Sequence, residues 1–395
     1  MKVVVFAHTP PPFHGQSYMV KLMLDGLRSR TRRKEDGTRE LEIFHVDSKL
    51  STNLEAIGKF QFTKLVRLLS YCAQAYFHRV VHKADHFYYV PAPGLRAALY
   101  RDWLVMFLCR PIFKRLIFHW HAVGLGEWLE TQAKPWERWI TLRLLGGSDL
   151  SIVLSEFGRA DAMRLRPKEI KIVPNGIPDP CPDFEEVLWP ERRHRFMNRN
   201  RAEAKRFMVL FVGACTEAKG LFALVEAVAL ANKQFREARV QSAISLMVAG
   251  EFASQSEQQR FTDRISQPDL NGLAQSAPLV EYAGFVSGSR KNELFRLCDC
   301  LCFPSHYPAE GQPVTIIEAL AFGMPVVATR WRGIPELLLG GNNRLVNGQD
   351  AIAIANVLEE FASAEIDTSN RQLFLARYTS SRYVDGLAKA LKTVL

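Results

Sequence analysis

The chain has 395 residues, 48% of them hydrophobic, and a formal net charge of +10. This length exceeds what one compact core accommodates and predicts two domains of roughly 150–200 residues. No uncharged apolar run reaches about 18 residues, so no membrane-spanning helix is expected. The seven cysteines are odd in number, and free thiols are the expectation for a large intracellular chain.

Strands and helices alternate along residues 1–185, which predicts a first domain built on an open parallel sheet. The first residues have the pattern of a strand rather than a signal peptide, so a cytoplasmic protein is expected. A helix should follow the first strand from about Gly15 to Arg28. Apolar runs predict strands at residues 3–6, 41–45, 86–90, 116–119 and 150–154.

Residues 56–120 hold most of the excess positive charge, with ten Lys and Arg residues against Asp85 and Asp102. The stretch is also rich in Phe, Leu, Tyr and Trp, a composition typical of a helical surface that contacts a membrane. A solvated face that keeps the protein soluble is the alternative. Nucleic acid is not expected as a partner, because no nucleic-acid-binding signature accompanies the charge.

The character of the chain changes after residue 177, where a proline-rich and then arginine-rich stretch predicts an interdomain linker at residues 186–206. A second sheet domain is predicted at residues 207–378, followed by a C-terminal helical segment at residues 379–395. Its predicted strands are residues 207–212, 245–249, 279–282, 299–303 and 325–329. Substrate is expected between the domains, at the carboxyl ends of the strands.

Two glutamates, Glu310 and Glu318, bracket a loop that leads into a helix beginning near Val314. Gly323 ends that helix, so Glu318 lies about one turn inside it. Backbone N–H groups at a helix start bind anions. Two carboxylates that flank an anion site suit a nucleotide-diphospho-sugar, although most glutamate pairs at this spacing are solvated helix charges.

The segment 310–318, with a proline-serine approach and a Gly-x-Pro-Val-Val-Ala-Thr exit in register, resembles the E-x7-E signature of family 4 glycosyltransferases, glycosyl transferases group 1. These enzymes use nucleotide-sugars and retain the anomeric configuration. The resemblance implies an α/β protein of the GT-B fold, with two Rossmann-like, doubly wound parallel-sheet domains facing a central cleft. It also implies that the last helix returns to the N-terminal domain.

The resemblance also implies how the donor is bound. Glu310 would bond the hydroxyls of the donor sugar, and Glu318 would accept both ribose hydroxyls. Main-chain amides would approach the sugar and the phosphates at four positions: Gly311, Gln312, Val314 and Thr315.

The segment 212–220 resembles the Gly-Arg-x-x-x-x-Lys-Gly loop of the family, beginning at Gly213. Lys219 would contact the diphosphate and stabilise the charge of the leaving group. A surface lysine is the alternative, although the helix dipole disfavours a cation at a helix start. Ala214 replaces the arginine of the family, which removes half of the usual cationic clamp.

A third segment in the second domain is Gly284, Phe285 and Val286, which follows a predicted strand. By resemblance, its backbone lies beside the nucleotide base. Taken alone, a glycine after a strand indicates only a turn.

In the first domain, the proline-rich residues 10–17 resemble the family loop that faces the donor phosphate and the acceptor, with Gly15 at the close approach. No Gly-x-Gly-x-x-Gly is present, so a nicotinamide dinucleotide is not indicated. His121 matches the active-site histidine of the family, and a structural histidine at a strand end is the alternative. A zinc pair of His119 and His121 lacks an evident third ligand.

No metal is expected elsewhere. The run Cys298, Cys300 and Cys302 reads as a buried strand, since no second cysteine or histidine cluster completes a ligand set. The chain contains no Asp-x-Asp, the pair with which other glycosyltransferases hold a divalent cation on the diphosphate. The sequence therefore predicts metal-independent catalysis with no cofactor.

The predicted function is transfer of a hexose-type sugar from a nucleotide-diphospho-sugar to a hydroxyl of a glycan or lipid-linked acceptor, in cell-surface polysaccharide or glycolipid assembly. The expected location is the cytoplasm, at the inner face of the membrane. Two alternatives stay open: an enzyme of the same fold that acts as an epimerase or phosphorylase, and a nonenzymatic scaffold of that fold.

Overall fold

The structure is a computed structural model that describes residues 1–11, 14–30, 40–49, 62–198, 205–239, 242–270 and 278–394. Three predicted features fall partly outside the described residues: the proline-rich loop at 12–13, the basic stretch at 56–61 and the linker at 199–204. The chain forms two compact units. The first combines Met1–Pro178 with Tyr378–Leu395, and the second is Asp179–Arg377.

The first unit contains a six-stranded parallel sheet in the order β2-β1-β3-β4-β5-β6. The strands are β1 Lys2–Phe6, β2 Glu42–Val46, β3 His86–Tyr89, β4 Arg115–Trp120, β5 Leu150–Val153 and β6 Ile170–Ile172. Most are continuous apolar runs, as expected for parallel strands covered on both faces, and this explains why five were predicted. The sixth is only three half-buried residues long, too short for a pattern.

Helices cover both faces of the first sheet: α1 Gly15–Arg30, α2 Phe62–Val81, α3 Arg96–Cys109, α4 Leu125–Thr131, α5 Pro135–Leu145 and α6 Glu156–Met163. Helices α2, α3 and α5 share one core with the sheet, in which Leu68, Met106 and Leu145 join Phe87 and Phe118. Leu125 of α4 and Ala162 of α6 belong to the same core, so α2, α3 and α5 lie with α4 and α6 on one face of the sheet.

The second unit repeats the architecture, with a six-stranded parallel sheet in the order β12-β11-β10-β7-β8-β9. Its strands are β7 Lys205–Val212, β8 Ser242–Ala249, β9 Val280–Tyr282, β10 Cys300–Phe303, β11 Val326–Thr329 and β12 Asn343–Val346. The predicted doubly wound α/β class is thereby confirmed.

The helices of the second unit are α7 Trp189–Asn198, α8 Leu221–Glu237, α9 Gln255–Ile265, α10 Gly288–Leu297, α11 Val314–Ala321, α12 Ile334–Leu337, α13 Ala351–Ser363 and α14 Ser369–Arg377. The chain then returns to the first unit, where α15 Ser380–Lys392 packs against α1. Tyr383 of α15 is fully buried there.

The segment predicted as a linker differs from expectation, because α7 is an ordered part of the second unit. Arg192 is buried and donates to the carbonyls of Phe322, at 2.5 Å, and Phe295, at 3.0 Å. These carbonyls lie at the C-terminal ends of α11 and α10, where a helix leaves acceptors unsatisfied. The arginine-rich segment predicted as a linker therefore contains a residue that joins two helix ends.

Within the part of the chain that the structure describes, no helix combines the length and apolar character needed to cross a bilayer.

Replacing Arg192 by Met should lower the free energy of unfolding of the second unit by about 2–4 kcal/mol, because two buried carbonyls lose their donor. Arg193→Met is the matched control, since Arg193 lies exposed on the same helix and should change stability by less than about 0.5 kcal/mol. Denaturant unfolding measures both. Equal midpoints for the two variants would show that the buried arginine is not needed.

Candidate functional site

In each sheet the first strand along the chain lies in the interior, with later strands added on both of its sides. The loops that follow the strands on the two sides diverge at this point. In the second unit β7 lies between β10 and β8. Loops that follow two strands on opposite sides of such a point leave a crevice at the carboxyl end of the sheet, where open α/β sheets bind ligands. The two loops at this point carry Lys219, after β7, and Glu310, after β10.

Lys219 and Glu310 are in direct contact although they are 91 residues apart. The Nζ atom of Lys219 lies 2.6 Å from Oε2 of Glu310, and both side chains are largely shielded from solvent. The ammonium group also lies 4.7 Å from the ring centroid of Tyr307, within cation–π range. The structure thus brings two of the predicted site residues together.

The backbone of the Lys219 loop is held closely against the end of β10. Gly220 has φ +81°, and a Cβ there would lie 2.2 Å from the carbonyl oxygen of Pro304. The amide of His306 donates to the carbonyl of Ala218 at 2.7 Å. Gln349 adds a further tie, because its amide nitrogen lies 3.2 Å from the Pro304 carbonyl oxygen. Only glycine fits at position 220, which keeps the adjacent lysine in place.

Glu310 is buried and has a second partner besides the lysine. The hydroxyl of Ser305 donates to Oε2 of Glu310 at 2.6 Å. Ser305 is itself held by Thr329, whose hydroxyl donates to the Ser305 carbonyl at 2.5 Å. One carboxylate oxygen therefore receives two donors, and the loop that presents it is anchored to β11.

The residues between the glutamates lie at the start of α11. Gly311 and Gln312 are buried in the approach, and Val314 and Thr315 are the first, half-buried residues of the helix. No side chain caps this N-terminus. A helix start without a side-chain cap presents backbone N–H groups and the positive end of the helix dipole, which suits an anion.

Glu318 lies further along α11, in a separate environment. Its side chain is nearly buried and forms an ion pair with Lys291 of α10. Burial raises the pKa of Glu318, and the Lys291 ammonium opposes that shift. The lysine is the counter-ion that a buried carboxylate requires.

The remaining predicted donor residues lie on the loops after β7 and β9. The amide of Gly213 donates to the carbonyl of Ala249 at 3.0 Å, and the amide of Gly250 donates to that of Gly284 at 2.9 Å. A Cβ on Gly213 or Gly284 would meet nothing within 4 Å, so both face open space. Phe285 is exposed and Val286 is buried.

In the first unit, four histidines cluster at the ends of β1 and β4. The ring centroids of His119 and His121 are 4.0 Å apart. The Nε2 atoms of His8 and His14 lie 2.8 Å apart, directly before α1 and its exposed first residue, Gly15. Tyr88 holds His119, with its hydroxyl 2.5 Å from Nδ1.

Charge is strongly disfavoured within this histidine cluster. Burial, with smaller contributions from His14 and His8, lowers the pKa of His121 to about 3. Burial also lowers the pKa of His8 to about 4. At neutral pH these rings are uncharged, so each offers one donor and one acceptor rather than a cation. Among the described residues, neither buried ring nitrogen of His121 has a hydrogen-bond partner, which leaves both available to a ligand.

Comparison with known proteins agrees with this architecture. Residues 192–377 match a family model described as glycosyl transferases group 1. One relative is WcaL of Salmonella typhimurium, which is named as a glycosyltransferase of colanic acid biosynthesis. It is 27% identical over 269 residues, which are 66% of this chain and 58% of WcaL. The chain therefore spans less than two thirds of that relative's length.

Two solved structures share the fold over nearly their whole length. Anabaena HepE, in a complex with UDP and glucose, has a TM-score of 0.65 at 17% identity, and the match covers 99% of each of the two chains. Sucrose-phosphate synthase of Thermosynechococcus elongatus has a TM-score of 0.65 at 14% identity, over 100% of this chain and 99% of that one. The chain has the GT-B fold.

Sequence reasoning missed several residues that the GT-B fold brings to these sites. Lys291 is 27 residues from Glu318, and nothing in its surroundings along the chain indicates an ion pair. The pairing of Ser305 with Glu310 could have been found, because the serine lies only five residues before the glutamate in the same loop after β10. The contribution of His8 and His14 depends on how β1 and β4 are placed by the sheet.

A separate groove of about 800 Å³ is lined by residues of α8 and α9. It holds charged side chains that are already paired, since Arg264 contacts both Glu226 and Asp269, and Arg260 contacts Glu217. These partners leave little unsatisfied charge for a ligand. The loops after β7 and β10 are therefore the better candidate.

Metal ligation has no geometric support in the residues that the structure describes, where no three His, Cys, Asp or Glu side chains are arranged to hold an ion. Cys298, Cys300 and Cys302 are free and buried. Burial raises the pKa of Cys298 to about 12, so this thiol stays protonated at neutral pH.

Gly220→Ala should destabilise the protein by about 1–3 kcal/mol, because alanine is strained at positive φ and its Cβ would collide with Pro304. Gly213→Ala is the control, since a Cβ there meets no neighbour. Thermal unfolding compares the two. An unchanged melting temperature for Gly220→Ala would mean that the loop can move away from β10 at little cost.

Proposed function

We propose that this protein is a retaining glycosyltransferase that moves a hexose-type sugar from a nucleotide-diphospho-sugar to an acceptor hydroxyl. The observation that carries the proposal is the contact between Lys219 and Glu310 beside the uncapped start of α11. A cation, a carboxylate and a helix N-terminus at one place match the phosphates and the sugar hydroxyls of such a donor.

The diphosphate is assigned to Lys219 and the N-terminus of α11. Breaking the glycosidic bond leaves negative charge on the diphosphate, and preorganised positive groups stabilise that charge in the transition state. The loop 213–220 has Ala214 where the related enzymes have arginine, so Lys219 supplies its only formal positive charge. We infer that the main-chain N–H groups of Val314 and Thr315 carry a larger share than usual.

The two glutamates bind the two ends of the donor in this proposal. Glu310 accepts hydrogen bonds from hydroxyls of the sugar, because its second oxygen is not occupied by the Lys219 and Ser305 contacts described above. Glu318 accepts from the ribose hydroxyls, with Lys291 as its counter-ion. Hydrogen bonds to ionised carboxylates are about twice as strong as neutral ones, which favours a tightly held donor.

Backbone elements at the end of the second sheet complete the donor site. Gly213 and Gly284 face open space and permit close approach of a phosphate or a base. Phe285 is exposed next to Gly284 and can pack against a flat nucleobase. The structural relative HepE was solved with UDP and glucose, so UDP is the nucleotide to test first.

The mechanism proposed for transfer uses no protein nucleophile and no metal. The departing diphosphate oxygen helps to deprotonate the acceptor on the same face, which retains the anomeric configuration. His121, uncharged at neutral pH, donates a hydrogen bond to a hydroxyl of the transferred sugar rather than acting as a cation. The absence of an Asp-x-Asp pair and the presence of Lys219 support metal-independent chemistry.

The acceptor is proposed to be a glycan or a lipid-linked glycan, in assembly of a cell-surface polysaccharide or glycolipid. The likeness to WcaL over two thirds of the chain supports this assignment. A scaffold without activity would not need a preformed pair of buried charges, whose desolvation costs several kcal/mol per ion unless each finds a partner.

Lys219→Ala should weaken UDP binding by about 10- to 100-fold, since a charge-assisted contact contributes about 1.5–3 kcal/mol. Lys233→Ala is the matched control, because Lys233 is an exposed lysine on α8. Isothermal titration calorimetry with UDP and UDP-glucose measures both variants. If the wild type binds none of a panel of nucleoside diphosphates, the protein is a scaffold and the donor site is wrong.

His121→Gln should lower turnover by at least about tenfold while UDP affinity stays near the wild-type value, because the histidine lies in the first unit and contacts only the transferred sugar. His194→Gln, an exposed histidine of α7, serves as control. NMR spectroscopy of the product measures both the rate of transfer and the anomeric configuration. Consumption of donor without any acceptor would point to an epimerase, and inversion of configuration would refute the proposed chemistry.

A further inference from the structure

The first unit carries an outer helical layer formed by α2, α3 and α5. Helix α3 packs between α2 and α5, and the inward residues of all three join the core on one face of the first sheet. Their other sides face outward. We refer to these outward sides together as the outer face.

On α2 the outer face is apolar although it is exposed. Leu68, Cys72 and Ala75 point into the core, whereas Val66, Leu69 and Tyr76 on the opposite side are between 44% and 55% exposed. Phe77, Val80 and Val81 continue the exposed surface toward the C-terminal end. A helix at a solvated surface normally has polar residues there, so within the described part of the chain this side of α2 has apolar residues without a packing partner.

On α3 and α5 the outer face presents large aromatic side chains. Phe107 is 67% exposed and Trp139 is 68% exposed. Trp136 packs edge-on against Trp103, with ring centroids 5.8 Å apart, and the indole N–H of Trp103 donates to the hydroxyl of Thr141 at 3.0 Å. The half-exposed ring of Trp136 is therefore supported by Trp103, which limits the entropy lost when that ring is covered.

The accessible charged residues of these three helices are all basic. The three helices contain seven Lys and Arg residues and only two acidic ones, Asp102 and Glu137. Both carboxylates are fully buried and bound internally, to Tyr89 and to Arg96 among other partners. These carboxylates offset Arg96 and Arg101, which leaves Arg67, Arg138 and Arg143 as exposed cations with no acidic partner on α2, α3 or α5.

We propose that the outer face docks on the surface of an anionic lipid bilayer. Exposed Trp, Phe and Tyr side chains partition to the level of the headgroups. Lys and Arg beside them are attracted by anionic lipids. A second copy of the chain is a poorer occupant, because a symmetric contact would bring two faces of the same positive sign together.

Two pairs of substitutions separate the apolar and the electrostatic parts of this contact. The first is Phe107→Ser with Trp139→Ser, and its control is Leu339→Ser with Ile352→Ser, two residues of the second unit that are similarly exposed. The second is Arg138→Gln with Arg143→Gln, both exposed on α5.

A flotation assay measures binding to vesicles made from equal parts of phosphatidylglycerol and phosphatidylcholine, and to vesicles of phosphatidylcholine alone. Wild type and the Leu339/Ile352 control should bind the anionic vesicles, and each outer-face pair should lower the apparent affinity by about tenfold or more. Thermal unfolding confirms that the variants fold. High salt should weaken wild-type binding.

Three results would overturn the proposal: no flotation of the wild type with anionic vesicles, equal flotation with neutral ones, or unchanged flotation of both outer-face variants. A concentration-dependent dimer in sedimentation that the Phe107/Trp139 pair dissociates would assign the face to a second copy instead. None of these measurements needs donor binding or turnover, so the result is independent of the proposed enzymatic activity.

Discussion

The ion pair between Lys219 and Glu310 is the constraint on which the carboxyl end of the second sheet depends. Each partner is largely removed from water, and leaving either charge buried alone would cost several kcal/mol. The loops after β7 and β10 therefore stay together, and Gly220, which permits close packing on Pro304, makes this arrangement sterically feasible. The two charged groups are therefore already held in contact in the structure.

The two glutamates illustrate how one residue type serves two positions. One carboxylate oxygen of Glu310 accepts hydrogen bonds from the Lys219 ammonium and the Ser305 hydroxyl. Glu318 sits inside a helix, where burial raises its pKa and Lys291 restores a local positive charge. An ionised carboxylate has about four acceptor sites, so each glutamate keeps capacity for hydroxyl groups after its internal partners are satisfied.

In the first unit the buried histidines are uncharged, in contrast to the buried ion pairs of the second unit. These histidines are held neutral, as the low pKa of His121 shows, and they offer hydrogen bonds without a net charge. The exterior helices of the first unit carry accessible cations beside exposed aromatic rings. Part of the excess positive charge of the chain therefore lies on these three helices, which hold seven Lys and Arg residues against two acidic ones.

Local patterns predicted most of the elements, because a run of buried apolar residues identifies a strand whatever its neighbours are. Short segments such as β6, with three half-buried residues, have no such pattern. Helix α7 was predicted as a linker for a related reason, because the carbonyls that Arg192 binds lie at the ends of α10 and α11, 103 and 130 residues further along the chain. Among the residues of the candidate site, Glu310 and Lys219 were predicted by motif, whereas Lys291, His8 and His14 were given no role.

The sequence by itself determined the alternation of strands and helices, the start of α11 and the cationic, aromatic composition of α2, α3 and α5, since each depends on residues close together along the chain. Only the tertiary structure decided which charges meet. The contacts of Lys219 with Glu310 and of Lys291 with Glu318 join different loops and helices, and their existence follows from the strand order, which is a non-local property of the fold.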